Sequence, residues 1–150
     1  MNTNQEVGSS SSVKQLTPDE VMENVQELAN LLAPAFAKAD CEIDTWSALK
    51  LCALGQMQCF VGEVNGLINA AMITTFTTYP LKLVCDVIAY AGVASNYYWF
   101  NEILDSWALN NGACEIRGFG SASSERLARR HGYVEVYRVF KKTLKRKEES

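Results

Sequence analysis

The sequence lacks the features that mark several large classes of protein. No apolar run approaches the ~18 residues of a membrane-spanning helix, and the polar first residues do not resemble a signal peptide. Three Pro and nine Gly in 150 residues exclude collagen-like and proline-rich material. With one histidine, His131, a histidine-based metal site is not expected. We therefore expect a cytoplasmic protein with no membrane partner and no metal.

Paired cysteine motifs are also missing. The five cysteines are an odd number and include no C-x-x-C pair, which suits neither a zinc ribbon nor a small disulfide scaffold. Cys59, Cys85 and Cys114 lie inside apolar segments, where a thiol packs as a small hydrophobic group. We expect buried free thiols in a reducing compartment.

Basic residues are scarce over most of the chain. The net charge is −3, yet residues 1–125 carry five basic and fourteen acidic side chains, and residues 126–150 carry nine and three. A nucleic-acid-binding protein usually spreads clustered Lys and Arg over a broad face, so nucleic acid is not an expected partner. A local anion site near the C-terminal end stays open. The hydrophobic share of 48% is that of an ordinary globular protein.

Capping signals predict three long helices. Thr17 and Glu20 form the capping box of the first, and Gly55 ends the second, whose inner face includes Trp46. The third, over 98–110, is expected to bury four apolar residues: Phe100, Ile103, Leu104 and Trp107. The predicted organisation is a flexible N-terminal tail over 1–16, one domain over 17–144 and a basic, polar C-terminal tail over 145–150.

Strand signals begin after the second helix. Asn65-Gly66 is a strong hairpin signal between strands 57–64 and 67–78, and a strand over 81–90 completes an antiparallel meander. The helix over 98–110 then leads to a short strand at 114–119, which should run parallel to 81–90. A short helix ending at Gly132 and a half-buried strand over 134–144 close the chain.

The resulting order, α-α-β-β-β-α-β-α-β, resembles the GNAT-type acyltransferase fold. The most telling stretch is 99–144, in which SERLARRHGYVEVYRVFKKTL resembles the family's last helix and strand. Further features resemble short GNAT-like proteins of bacteriophages and prophages: Trp46, Gly55, Gln58, Thr78, Tyr79 and Pro80. The resemblance implies an α/β (α+β) fold with a mixed, mostly antiparallel sheet and helices on both faces.

The resemblance also implies an acyl-CoA site, for acetyl-CoA or another acyl-CoA, where the two parallel strands splay apart. A strand backbone would pair with the pantetheine arm, and the next helix start would face the pyrophosphate. The implied cofactor-binding residues are Val87, Ile88, Ala89, Tyr90, Gly92, Ala94, Ser95, Asn96, Arg126 and Arg129. An ordinary strand-to-helix connection and a solvated basic face are the alternatives. We expect Gly92→Val to weaken binding without unfolding the protein.

Two carboxylates are the candidate catalytic residues. Asp86 interrupts an apolar strand, so it either faces solvent or lies in the cleft, where it could act as a general base. Glu115 shares a strand face with Arg117, either as a salt bridge or as part of the cleft.

Two positions depart from the family pattern. The loop has only Gly92 where the family has Q/R-x-x-G-x-G/A, and Ala128 stands where a Tyr often reprotonates the thiolate. The leading prediction is direct acyl transfer from acyl-CoA to an amine acceptor, which is a small molecule or a protein. The alternative is a catalytically inactive GNAT-fold phage protein, a virion-associated or host-interaction module whose partner is a phage structural or host protein.

Overall fold

The computed structural model describes residues 11–38, 42–92, 97–118 and 125–146. The chain divides into two compact units, Met1–Phe119 and Gly120–Ser150. The first unit contains a five-stranded sheet and four helices that cover it. The second contains one short helix among its described residues.

The first unit begins with a strand that the sequence pattern does not signal. β1 (Ser11–Leu16) pairs antiparallel with β2 (Gln58–Val64) along its whole length. The predicted flexible tail over 1–16 is therefore wrong for residues 11–16. A short serine-containing segment has little intrinsic strand preference, so the β2 edge and the burial of Leu16 decide its conformation.

Three helices follow β1 and pack on one face of the sheet. They are α1 (Pro18–Glu23), α2 (Val25–Phe36) and α3 (Thr45–Ala53). The predicted capping box is confirmed, because the Glu20 amide donates to Thr17 Oγ1 at 3.1 Å and the Thr17 amide donates to Glu20 Oε1 at 2.9 Å. Asn24 separates α1 from α2 and donates its side-chain amide to the Glu20 carbonyl at 2.8 Å.

The sequence predicted Trp46 on the inner face of α3. In the structure its side chain lies outside that face and is 54% exposed. The buried residues of this helix are Ala48, Leu49 and Cys52. At ~100° per residue these three define one face, and Trp46 falls outside it. The inner face of α3 is thus made of small and aliphatic side chains.

The predicted meander is confirmed. β3 (Leu67–Tyr79) and β4 (Lys82–Ala91) continue antiparallel from β2, and Asn65 and Gly66 adopt the positive φ angles of 54° and 79° in the first turn. α4 (Tyr97–Asn110) leads to β5 (Glu115–Gly118), which pairs parallel with β4 as predicted. The strands lie in the order β1-β2-β3-β4-β5. The predicted mixed, mostly antiparallel sheet with helices is confirmed.

Two hydrophobic cores lie on the sheet, and each includes side chains from a different set of helices. The first joins α1, α2 and α3 to Cys59, Val61, Ala71, Ile73 and Ala89. The second joins α4 to Phe60, Ala70, Met72 and Cys85. Phe100 and Leu104 of α4 are buried as predicted, whereas Ile103 is 44% exposed and so is a correction. Cys114 is also exposed, because the neighbouring Ala113 takes the buried position before β5.

The second unit differs most from the sequence prediction. α5 spans Glu125–Arg130, and Gly132, with a φ of +88°, follows its C-terminal end. The strand predicted over 134–144 is wrong, because these residues have no regular secondary structure. Glu135 and Arg138 form an ion pair at 2.8 Å, and residues three apart would point to opposite faces of a strand. The apolar residues of the segment are exposed: Val134, Val136, Val139, Phe140 and Leu144.

No helix in the described ranges is both long enough and apolar enough to cross a membrane. Within the same ranges, no cluster of three or more His, Cys, Asp or Glu could hold a metal ion.

Candidate functional site

The described strand partners of β4 differ between its two halves. Its parallel pairing with β5 covers only four residues, from Val84 opposite Glu115 to Val87 opposite Gly118. β4 then runs on to Ala91, and among the described residues the stretch 88–91 pairs only with β3. The described pairing with β5 thus covers the middle of β4, and its pairing with β3 continues to Ala91.

A β-bulge lies in β4 directly after the last described pair of β4 and β5. Ile73 pairs with Ala89 and Thr74 pairs with Val87, so Ile88 is an extra residue without a partner on β3. A bulge bends its strand and increases the local twist, and bulges are frequent beside active sites. The bulge therefore adjoins the last parallel pair among the described residues.

The side chains around the bulge are used by the two cores. Ala89 and Ile88 pack in the first core, and Val87 and Tyr90 pack in the second, where Tyr90 meets Phe100 edge-on at 5.4 Å between ring centres. A ligand would therefore meet mainly the backbone of these predicted cofactor-binding residues, because their side chains pack in the cores. Their pairing with a pantetheine chain stays a prediction.

Gly92 follows β4 in a conformation that other residues rarely adopt. Its φ is +144°, and a Cβ atom here would lie 2.7 Å from the Ala70 Cβ and 2.9 Å from the Tyr90 hydroxyl. Gly92→Val is therefore expected to destabilise the fold, because the valine would be strained and would also collide with β3. The expectation that the variant stays folded and binds more weakly remains a prediction. Three predicted loop residues, Ala94, Ser95 and Asn96, lie outside the described residues.

Asp86 lies on the last part of β4 that is paired on both sides. Its register partners are Thr75 on β3 and Arg117 on β5, and its Oδ2 accepts a hydrogen bond from the Thr77 hydroxyl. The carboxylate is partly buried and shares a sheet face with Val84. Asp86 lies one residue before the last described β4–β5 pair, and both alternatives for it stay predictions.

Glu115 is held by two cations on the same sheet face. Lys82 Nζ lies 2.5 Å from its Oε2, and Arg117 Nε donates to its Oε1 at 3.1 Å. These hydrogen bonds, first from Lys82 and then from Arg117, lower the pKa of the Glu115 carboxyl below its usual value. A general base works best with a pKa near the working pH, so Glu115 is a weak candidate for that role. The salt-bridge interpretation of Glu115 and Arg117 fits the observed contacts.

Tyr79 completes this patch, with its ring centre 5.3 Å from the Arg117 guanidinium carbon. We call the patch the polar face, and its members are Thr77, Tyr79, Lys82, Asp86, Glu115 and Arg117. Sequence reasoning missed Thr77 and Tyr79 as neighbours of the two carboxylates. The sequence does contain a signal for these contacts, namely the two-residue turn at Pro80-Leu81. This turn pairs Tyr79 with Lys82 and so fixes the register of β3 and β4.

The buried cysteines are unsuited to nucleophilic attack. Burial raises the pKa of the Cys52 and Cys85 thiols to about 12, and it also raises the pKa of Cys59. The thiolate is the reactive form of cysteine. These three residues therefore do not supply a covalent route.

A cavity of about 350 Å³ lies in the first unit, apart from the predicted site residues. Its lining joins β1, α3 and the C-terminal part of α4: Gln15, Leu16, Pro18, Cys52, Gly55, Met57, Gln58, Phe76, Trp107 and Asn111. Gln58 is fixed by the buried Thr74, whose hydroxyl donates to Gln58 Oε1 at 2.9 Å.

Arg126 and Arg129 lie in the second unit, both exposed on α5. They are three residues apart, so they share a helix face. Their predicted role as phosphate ligands stays a prediction.

Comparisons with known proteins identify the fold. No family model matches the sequence, and no curated protein matches it. Among solved structures, an aminoglycoside acetyltransferase from an uncultured soil metagenomic sample, in complex with sisomicin, has a TM-score of 0.69 at 15% identity and covers 93% of this chain and 99% of its own. An aminoglycoside N-acetyltransferase in complex with CoA has a TM-score of 0.63 at 14% identity, covering 89% of this chain and 94% of its own.

A predicted acetyltransferase from Clostridium acetobutylicum, solved with acetyl-CoA, has a TM-score of 0.65 at 11% identity and covers 89% of this chain and 96% of its own. At such low identities these likenesses establish a shared fold. The chain therefore has the GNAT acetyltransferase fold that its element order resembles.

Proposed function

We propose that the protein is an acyltransferase that moves an acyl group from acyl-CoA to an amine by direct transfer. The observation that carries the proposal is the bulge in β4 at Ile88, which directly follows the last described pair of β4 and β5, Val87 and Gly118. Fold likeness adds support, because structures with this fold include one in complex with CoA and one with acetyl-CoA.

The residues beside the bulge fit an acyl-CoA substrate. In this proposal the pantetheine chain, which carries two amides of its own, runs beside residues 88–91 of β4. Gly92 lets the chain turn close against Ala70 before α4 begins at Tyr97. The pyrophosphate is then assigned to the start of α4, where backbone N–H groups and the helix dipole favour an anion.

Asp86 is the base in this proposal. Thr77 holds the Oδ2 atom of Asp86, and Oδ1 accepts one proton from the ammonium group of the acceptor. The thioester of acyl-CoA supplies the acyl carbon that the amine attacks and the thiol that leaves. The new C–N bond forms as the C–S bond breaks, the amine's second proton goes to the thiol, and Asp86 returns its proton to solvent.

An acyl-transfer assay tests the proposal. The full chain is incubated with acetyl-CoA and a panel of amines, including amino acids, simple alkylamines and sisomicin, and the release of CoA thiol is followed. We expect release that depends on both the protein and an amine, together with saturable binding of acetyl-CoA in a calorimeter. Absence of heat and of thiol release at millimolar acetyl-CoA would contradict the proposal.

No described contact favours the second possibility, a catalytically inactive phage or virion protein. The same assay separates the two. An inactive protein would release no thiol with any amine, whereas the proposed enzyme releases it with at least one.

A further inference from the structure

The cavity of the first unit has no part in the proposed acyl transfer. It lies at the end of the sheet where β2 begins, between β1, the end of α3 and the C-terminal part of α4. Phe76 in its lining packs in the second core, on the α4 side of the sheet, and the next residue, Thr77, points to the opposite face and bonds Asp86. A molecule bound in the cavity therefore lies on the other side of the sheet from the proposed base.

The described lining of this cavity carries no charge. Its ten residues are all of uncharged types, and burial raises the pKa of the Cys52 thiol to about 12, so this group is neutral as well. A charged ligand would lose hydration here without gaining an opposite charge from these residues. The lining therefore favours an uncharged molecule.

Two aromatic side chains, Phe76 and Trp107, form part of the wall. Trp107 is held by its neighbours, because it meets Phe60 edge-on at 4.8 Å and lies tilted against Phe76 at 5.1 Å between ring centres. Aromatic side chains pair well with a further ring, either offset or edge-on. The cavity of about 350 Å³ exceeds the ~150 Å³ that is enough for benzene, so it has room for one ring and a polar substituent.

Two carboxamide side chains of the lining are each fixed by one hydrogen bond. Gln58 accepts from the Thr74 hydroxyl at its Oε1, at 2.9 Å, which leaves its Nε2 as a donor. Asn111 donates its Nδ2 to the Trp107 carbonyl at 2.8 Å, which leaves its Oδ1 as an acceptor. Within the described ranges, neither of these two remaining atoms has a hydrogen-bond partner. The lining thus offers one donor and one acceptor whose identities are set by the protein.

We propose that this cavity is a binding site for a small uncharged molecule that carries an aromatic ring and a carboxamide group. The carbonyl of such a carboxamide accepts from Gln58 Nε2, and its N–H donates to Asn111 Oδ1. The ring packs against Trp107 and Phe76. Because the buried Thr74 already holds Gln58, the donor is in place before the ligand arrives. The proposal does not depend on acyl transfer, since it uses none of the residues proposed for that reaction.

A titration with four matched probes tests the ligand class. Benzamide, benzoate, benzylamine and toluene share the ring and differ in the polar group, and each is added to the full chain while the indole N–H signals are followed by NMR. We expect benzamide to shift the Trp107 signal saturably and to leave that of the exposed Trp46, outside the cavity, unchanged.

Benzamide should bind roughly tenfold or more tightly than each of the other three probes, because these lack hydrogen bonds to the lining or carry a charge. No shift of the Trp107 signal with benzamide overturns the proposal. Equal binding of benzoate, benzylamine or toluene overturns it too, because the carboxamide would then contribute nothing.

Gln58→Glu tests the donor. The glutamate keeps an oxygen that accepts from Thr74 but has no Nε2, so benzamide should bind roughly tenfold more weakly, and the cationic benzylamine should bind more tightly than to the parent protein. Gln26→Glu is the matched control, because it makes the same change at an exposed residue of α2 whose Nε2 donates to Asn30 Oδ1 at 3.1 Å. Unchanged benzamide binding in Gln58→Glu overturns the assignment.

Thermal unfolding of each variant shows whether it is folded. If Gln58→Glu does not fold, Asn111→Ala decides in its place, because Asn111 is exposed directly after α4. This variant should bind benzamide more weakly and toluene as the parent protein does, and an equal loss for both probes overturns the proposal. Failure of the proposed function has a different signature, namely no acetyl-CoA binding and no thiol release with any amine.

Discussion

The two halves of β4 differ in their described strand partners and in what their side chains contact. From Lys82 to Val87 the strand has described partners on both sides for most of its length, and on one face Lys82 binds Glu115 of β5 and Asp86 binds Thr77 of β3. From Ile88 to Ala91 its side chains enter the two cores, and its described strand pairing is with β3. The proposed side-chain chemistry and the proposed backbone recognition thus belong to adjacent parts of one strand.

The contrast shows how a single bulge can build a site. Because Ile88 is an extra residue, the alternation of side chains is shifted by one position beyond it. Before the bulge, the charged residues Lys82 and Asp86 belong to the polar face. After it, the side chains of residues 88–91 pack in the two cores. Under the proposed function, the acceptor lies at the first half of β4 and acyl-CoA at the second.

The largest effect is expected from the first half. Asp86→Asn removes the proposed base, so turnover should fall by about 10²–10⁴-fold, while acetyl-CoA binding measured by calorimetry should stay within a factor of two or so. Asp105→Asn, at an exposed position of α4, is the control and should retain full activity. Full turnover in Asp86→Asn would remove Asp86 from the mechanism.

Gly92→Val should destabilise the fold at the end of the second half. A side chain at a φ of +144° is strained, and its Cβ would meet Ala70 at 2.7 Å, so we expect a loss of roughly 2–4 kcal/mol in denaturant unfolding. Gly118→Ala is the control, since nothing lies within 4 Å of its added Cβ and it has no positive φ. Equal stability of Gly92→Val and the parent protein would show that the loop rearranges freely.

A smaller effect is expected from the second unit. If Arg126 and Arg129 contact the phosphates of acyl-CoA, reversing both to Glu should weaken acetyl-CoA binding by ~10-fold at low salt and by less at high salt. The single variant Arg130→Glu, on the same helix, tests whether any added negative charge has this effect. Binding that is unaffected by the double reversal would place the phosphate ligands elsewhere.

The smallest effect concerns acid stability in the first half. The pKa of Glu115 is lowered from 4.5, so its ion pairs stabilise the fold above that pH, and the contribution is lost as the pH falls through the folded-state pKa. Glu115→Gln should therefore unfold slightly earlier in denaturant than the parent protein at pH 7. The difference should shrink and vanish as the pH falls below the folded-state pKa of Glu115; a difference that persists in acid would point to packing as its cause.

Local signals predicted much of the first unit correctly. Thr17 and Glu20 specify a helix start through their own hydrogen bonds, and Asn65-Gly66 specifies a hairpin through its positive φ angles. β1 was missed because it depends on the β2 edge, which lies 43 residues further along the chain for the pair Leu16 and Cys59. Its strand conformation comes from that distant partner.

The strand predicted over 134–144 was also wrong because strand formation depends on a neighbouring strand. These residues alternate apolar and polar side chains, but a strand also needs a neighbour to which its backbone can hydrogen-bond. At the candidate site, Asp86 stood out because a carboxylate interrupts an apolar strand. The contacts of Thr77 and Tyr79 required the β3–β4 register, which a reading of single strands does not include.

The most direct test of the central claim follows the backbone amides of β4 by NMR, with and without acetyl-CoA. We predict that acetyl-CoA shifts the amide signals and slows hydrogen exchange within residues 88–91, and that it leaves the doubly paired residues 84–87 much less affected. Saturable binding without any change in 88–91 would contradict the assignment of acyl-CoA to the second half of β4.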